Sequence, residues 1–189
     1  GPGGGPLEEA LAGRRAAAEA HCSSNTDVAR TRVLGGLGSS GGHALWLGNQ
    51  PDAEDAEALR ADGIGAVLNM AKDVPEPPHA ATGEFEYLHL EVDDVPAAAE
   101  ELRAVLGQAI AFIDGALESS SVLVHCRLGR SRSASAVLAW MMAARGYSLE
   151  AGLADLKQKR RLYQGALVEP NEGFKRVLQE FEASLGVVS

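Results

Sequence analysis

Ser121-Val122-Leu123-Val124-His125 runs directly into Cys126-Arg127-Leu128-Gly129-Arg130-Ser131-Arg132-Ser133. The first five residues are a short apolar run of the kind that makes a buried strand, and Ser133 to Arg145 has the composition of an apolar helix. Between the strand's end at Cys126 and the helix start at Arg132 lie five residues, one of them Gly129. A loop that short can curl until successive backbone N–H groups converge, forming an anion-binding nest at a helix N-terminus. Phosphate suits such a cradle. Arg132 adds a planar fork that fits two oxygens of a tetrahedral dianion, a geometry lysine lacks. The same positive field favours the ionised form of the Cys126 thiol and so makes it a nucleophile.

Outward from this loop the pattern alternates between strand and helix. Ala44 to Gly48, Gly65 to Met70 and Phe85 to Val92 have strand character, the last with alternating apolar and polar residues. Asp52 to Ala61 is an acidic helix opened by Pro51, and Pro96 to Leu117 a long helix with proline suited to its first turn. Downstream, two further helices are expected over about Leu149 to Arg161 and Glu172 to Leu185. Strands separated by helices imply a sheet covered on both faces, and such sheets bind ligands at the carboxyl ends of their strands. The loop after Val124 is therefore where the chemistry belongs.

The whole chain has 189 residues, enough for one ordinary domain, and its 46% hydrophobic and 23% charged residues are those of a globular protein. With 17 Lys and Arg against 26 Asp and Glu, the net charge of −9 argues against a general binder of nucleic acid or anionic membrane. No stretch reaches the roughly 18 uninterrupted apolar residues of a membrane span. Two cysteines, Cys22 and Cys126, are too few for a disulfide framework and fit a reducing, cytoplasmic or also nuclear setting. The opening GPGGGP has no charged-then-apolar secretion pattern and has the look of a cloning remnant. Leu7 to Ala20 suits a short helix, and His21 to Gly42 has the composition of an irregular linker. The expected division is an N-terminal extension over 1–42 and one catalytic domain over 43–186.

The loop's chemistry points to attack of a thiolate on phosphorus, giving a cysteinyl-phosphate that water then hydrolyses. The nest and Arg132 would stabilise charge on the equatorial oxygens in that step. Expelling an alkoxide or phenoxide also needs a proton donor. Asp93 and Asp94, immediately after the strand that ends at Val92, are both placed to supply one.

Residues 125–133 match, at every fixed position, the signature His-Cys-x-x-Gly-x-Ser-Arg-Ser of the cysteine-based protein phosphatases, and within them the dual-specificity branch, which this sequence resembles. LWLGNQ at 45–50, AVLNMA at 66–71, FID at 112–114, SRSASAVLAWMM at 131–142 and EPNEGF at 169–174 resemble further segments of that family. The resemblance covers roughly Ala44 to Leu185. It implies an α/β fold with a central, mostly parallel sheet of about five strands flanked by helices. It implies Cys126 as nucleophile, Arg132 as the phosphate-binding arginine, Ser133 as the hydroxyl that eases loss of the thiolate, and His125 as a support for the ionised cysteine. Arg127, Leu128, Gly129, Arg130 and Ser131 would complete the substrate cradle. The family spacing places the general acid seven residues after a tyrosine, and Tyr87 leads to Asp94 rather than Asp93. Asn171 resembles a family asparagine near the loop, and N-cap of the last helix is an equal alternative.

The implied activity is hydrolysis of phosphotyrosine and phosphoserine or phosphothreonine in proteins, from a shallow pocket, in a monomer or weak homodimer, with neither metal nor cofactor. Nothing resembles the phosphotyrosine-recognition loop of deep-pocket relatives, and no His, Cys or carboxylate grouping has metal-ligand spacing. Arg127 and Arg130 would also suit a phosphoinositide, a phosphoglycan or an RNA end, and a phosphoprotein-binding pseudophosphatase is the third alternative. Elsewhere, Cys22 is an incidental thiol, and Gly36 to Gly41 mimics a dinucleotide-binding spacing but precedes a strand, as a flexible linker would. Lys157, Lys159, Arg160 and Arg161 suit a solvated helix face, and Trp140, Met141 and Met142 a core.

Overall fold

A computed structural model describes residues 30–160 and 167–186. Five strands, β1 (Thr31–Leu37), β2 (His43–Gly48), β3 (Ile64–Ala71), β4 (Glu86–Val92) and β5 (Ser121–His125), form one sheet in the order β1-β2-β5-β3-β4. Only β1 and β2 pair antiparallel; β2 with β5, β5 with β3 and β3 with β4 are parallel. The helices among the described residues are α1 (Gln50–Glu54), α2 (Ala56–Ala61), α3 (Ala99–Leu117), α4 (Arg132–Arg145), α5 (Leu149–Arg160) and α6 (Glu172–Ser184). This is the α/β architecture expected, a mostly parallel sheet between two helical layers.

β5 is the central strand and is buried along its whole length. Val122 lies opposite Leu45 and Ala66, and Val124 opposite Leu47 and Leu68. These six belong to the larger core, which also holds Leu102 and Ile113 of α3, Val137 and Met141 of α4, Leu156 of α5 and Phe174 of α6. Leu123 turns to the opposite face and packs with Val67, Leu59 and Ala53 beneath α1 and α2. The strict period of two explains why β5 needs apolar residues on both faces, as interior parallel strands do. α4 is buried at every position from Arg132 to Met142, Trp140 included, which is what an all-round apolar helix packed behind a sheet requires. The strand and helix that bracket the loop are thus fixed in the interior, and the loop emerges at the carboxyl end of the sheet.

Three expectations are corrected. Residues 21–42 are not linker throughout: Thr31–Leu37 forms β1, with Val33 and Leu37 buried, so the folded unit begins before His43. Exposed Gly35 and Gly36 dilute that strand's apolar pattern, and Gly36 to Gly41 closes β1 and turns into β2 through a Gly41 N–H to Gly38 carbonyl bond of 3.0 Å. The helix expected over 52–61 is two helices. Asn49 and Asp52 cap α1 reciprocally at 3.0 and 2.8 Å, and Asp55 interrupts the run by capping α2 at the Ala58 N–H, 3.0 Å away. The long helix begins with a 3-10 turn, Pro96–Ala98, before α3. The helix expected over 7–20, Cys22 and Arg161 lie outside the described residues.

Candidate active site

β5 ends with His125, and the chain from Cys126 to Ser131 loops back into the first turn of α4. Two of the loop's backbone carbonyls are bound from outside it: Gln50 N–H donates to Arg127 O at 3.1 Å, and Glu169 N–H to Arg130 O at 2.8 Å. With carbonyls tied outward, the loop amides are left for the interior of the curl, as in an anion nest. The Gly129 N–H donates to Cys126 Sγ at 3.3 Å, and Sγ stands 3.1 Å from Ser133 Oγ. Gly129 adopts φ +68°, and a Cβ there would lie 2.5 Å from the Gly48 carbonyl oxygen, so only glycine closes this turn against β2.

Cys126, Ser131 and Arg132 line a recess of about 210 Å³ together with Arg127, Leu128, Arg130, Asp73 and Asp94. Arg132 is almost fully buried. Its Nη1 donates to the Asp73 carboxylate and, at 3.1 Å, to the Val92 carbonyl. Its Nε is buried without a hydrogen-bond partner. A buried guanidinium donor left open beside an otherwise satisfied framework is suited to an incoming oxyanion. Arg127 Nε donates to the other oxygen of Asp73 at 2.7 Å, and Arg130 Nε to the Leu167 carbonyl at 3.0 Å. Partial burial raises the Asp73 carboxyl, but hydrogen bonds from Arg132 and Arg127 outweigh it and hold the group below the usual carboxylate range.

The two aspartates after β4 part company. Asp94 lines the recess and accepts a hydrogen bond from Asn171 Nδ2 at 3.0 Å. Asp93 is outside the lining, pairs with Lys72 at 3.3 Å and donates its N–H to Glu101. Asn171 combines both anticipated roles: its Oδ1 caps α6 at the Phe174 N–H, 3.0 Å away, while its own N–H donates to Ser131 Oγ at 3.1 Å. His125 is buried with Nδ1 3.3 Å from the Cys126 carbonyl, so the ring touches the cysteine's backbone and not its sulfur. Burial, with the charge of His89 adding to it, pushes this ring down to about 4, so it is neutral and presents Nδ1–H to that carbonyl.

Two residues of the site escape the sequence pattern. Asp73 lies just past the end of β3, next to β5 in the sheet, where the topology rule for parallel sheets would have directed attention. Arg160, expected on a solvated face, is buried under the loop. Its Nη1 donates to Leu47 O at 2.9 Å and to Thr31 Oγ1 at 3.3 Å, and its Nη2 lies 2.9 Å from where a Gly129 Cβ would be. The neighbouring Lys157 pairs with Glu169, and Lys159 with Asp155 and the Val33 carbonyl. Among the described residues no group of three or more His, Cys, Asp or Glu is placed to hold a metal ion, and no helix is long and apolar enough to cross a membrane.

The family model described as dual specificity phosphatase, catalytic domain, matches residues 45–184. Protein phosphatase Slingshot homolog 1 of Homo sapiens is 35% identical over 142 residues, 75% of this chain and 13% of that protein. Dual specificity protein phosphatase 2 of Homo sapiens is likewise 35% identical over 142 residues, 75% of this chain and 42% of its own length. The chain therefore spans less than half of either relative. The crystal structure of human DUSP28 superimposes with a TM-score of 0.70 at 31% identity, covering 84% of this chain and 95% of that one.

Proposed function

The chain belongs to the dual specificity phosphatase family, and on that premise we propose that it hydrolyses phosphotyrosine and phosphoserine or phosphothreonine in proteins through a cysteinyl-phosphate intermediate. The observation that carries this is the placement of Cys126 Sγ, 3.3 Å from the Gly129 N–H and 3.1 Å from Ser133 Oγ, in a recess that Arg132 and Asp94 share.

In the first half-reaction the Cys126 thiolate attacks phosphorus while the bond to the leaving oxygen breaks. Asp94, entering as the carboxylic acid, gives its proton to that oxygen. Arg132 and the loop amides hold the equatorial oxygens, and the open Nε of Arg132 acquires its partner there. In the second half-reaction Asp94, now a carboxylate, takes a proton from water as the water oxygen attacks phosphorus. The phosphorus–sulfur bond breaks, phosphate leaves, and the Ser133 hydroxyl donates to the departing thiolate. His125 acts through the Cys126 backbone, fixing the direction of the sulfur. No step calls for a metal.

Arg127 and Arg130 would favour polyanionic substrates as free cations. Here Arg127 is tied to Asp73, which Arg132 also holds, and Arg130 to the Leu167 carbonyl, so neither is free to gather further phosphates, which supports a substrate with one phosphoryl group on a protein side chain. Turnover of a small aryl phosphate in EDTA, with a phosphopeptide, an inositol phosphate and a phosphorylated glucan compared at equal concentration, tests the proposal. Expected are metal-free turnover, its loss in Cys126→Ser, and phosphopeptide as the best natural ester. Full activity in Cys126→Ser, or no turnover by wild type, overturns the mechanism.

A further inference from the structure

Among the described residues only four large apolar side chains are exposed; one lines the recess and two more are joined to its lining, by a peptide bond and by a hydrogen bond. Leu128, 57% exposed, lines it directly. Val95, 48% exposed, follows Asp94, and Leu167, 59% exposed, holds Arg130 by its carbonyl. The fourth, Leu185, follows α6 and is remote in sequence from the loop. Apolar side chains exposed singly need no explanation, but a set around one mouth marks a contact surface.

The same mouth carries three guanidinium groups and two carboxyl groups, most of them already held by protein partners. Arg127 is bound to Asp73, Arg130 to a carbonyl, and Asp73 and Asp94 place two carboxyl groups on the rim. A phosphoresidue seated over Cys126 carries its chain neighbours across this rim, because consecutive residues of an extended segment are only about 3.3–3.6 Å apart along the chain. Whatever flanks the phosphoresidue therefore passes over the rim that Leu128 lines and that Val95 and Leu167 adjoin.

We propose that this rim selects protein segments in which the phosphoresidue is flanked by large apolar side chains. The inference rests on the protein-phosphatase reading above. Apolar flanks remove Leu128, Val95 and Leu167 from water, a gain that small polar flanks do not supply. Contacts made equally in the bound and reacting states act on KM rather than kcat.

The test uses the full chain and three phosphopeptides identical except at the two positions on either side of the phosphoresidue, filled with Leu, Ser or Glu, with an aryl phosphate alongside. Expected is a higher kcat/KM for Leu than for Ser or Glu, with about a tenfold advantage of Leu over Ser expressed in KM. Leu167→Ser combined with Val95→Ser should bring the Leu to Ser ratio below about threefold. That ratio is taken within one enzyme preparation and so is independent of how much of the variant folds. A wild-type ratio near one, or a preference for Glu, overturns the inference and leaves the phosphatase reading standing. Turnover of the aryl phosphate with none of any peptide overturns both the inference and the protein-substrate reading.

Discussion

Asp73 and Arg132, 59 residues apart in sequence, meet at the mouth of the recess, where the carboxylate takes a hydrogen bond from Nη1 and leaves the Nε of the same guanidinium unbound. The carboxylate thus orients Arg132 from the rim, with the Val92 carbonyl sharing Nη1 at 3.1 Å, and does not occupy the Nε donor. Asp73→Ala should lower kcat/KM for an aryl phosphate about tenfold and weaken inhibition by orthovanadate in parallel, with Asp73→Glu recovering part of both, since small misplacements of a clamp are costly. Inhibition constants for orthovanadate before and after substitution check this. Tighter orthovanadate binding in Asp73→Ala would show that the carboxylate obstructs the site.

Asp94 and Asp93 are separable by leaving group. Asp94→Asn should cut kcat on phenyl or alkyl phosphates about 10²-fold or more, and much less on an aryl phosphate whose leaving group needs no proton. Asp93, tied to Lys72 at the surface, should tolerate the same change within a factor of about three. Steady-state turnover across a leaving-group series decides between them, and the reverse order would move the acid role to Asp93.

His125 sets a pH dependence of stability. Its ring, pushed down to about 4 by burial, stays neutral in the folded chain at pH values where an unfolded chain with an ordinary value near 6.5 has taken up a proton. The unfolded state then binds more protons, so this contribution is complete above about pH 6.5 and is lost as pH falls toward 4, by up to about 3 kcal/mol. Urea unfolding between pH 7.5 and 4.5 should show the fall, and His125→Asn, though less stable overall, should show a shallower one. Parallel slopes for the two proteins would contradict a buried neutral imidazole.

Gly129→Ala should be severe. The position needs φ +68°, and the added methyl would lie 2.5 Å from a backbone oxygen of Gly48, which cannot rotate away. A non-glycine residue in this conformation costs about 1–2 kcal/mol before the collision is counted. Activity should fall at least 10²-fold while circular dichroism retains the helix and strand content. Near-normal turnover would mean that the loop holds its shape without close approach to β2.

β5, the loop and α4 were legible because they carry strong local signals: an unbroken apolar strand, a glycine where the chain must turn, and an apolar helix. Asp94 was legible through its spacing from Tyr87, but its separation from Asp93 became physical only with Asn171 and Lys72 in place. β1 was missed because Gly35 and Gly36 interrupt its apolar alternation and its pairing to β2 is irregular. Arg160 was missed among neighbouring cations, although the four-residue spacing Gly152, Leu156, Arg160 marks a single buried stripe on α5. Asp73 offers no local signal at all, since its meaning comes from β3 lying beside β5.

The outward ties of the phosphate loop, Gln50 to the Arg127 carbonyl and Glu169 to the Arg130 carbonyl, bring two distant segments to bear on six residues before any ligand arrives. The entropy of shaping the cradle is consequently settled once, when the chain folds, and is not spent again in each catalytic cycle. Exchange of the Gln50 and Glu169 amides that hold the loop should therefore be slow already in the empty protein and little changed by phosphate.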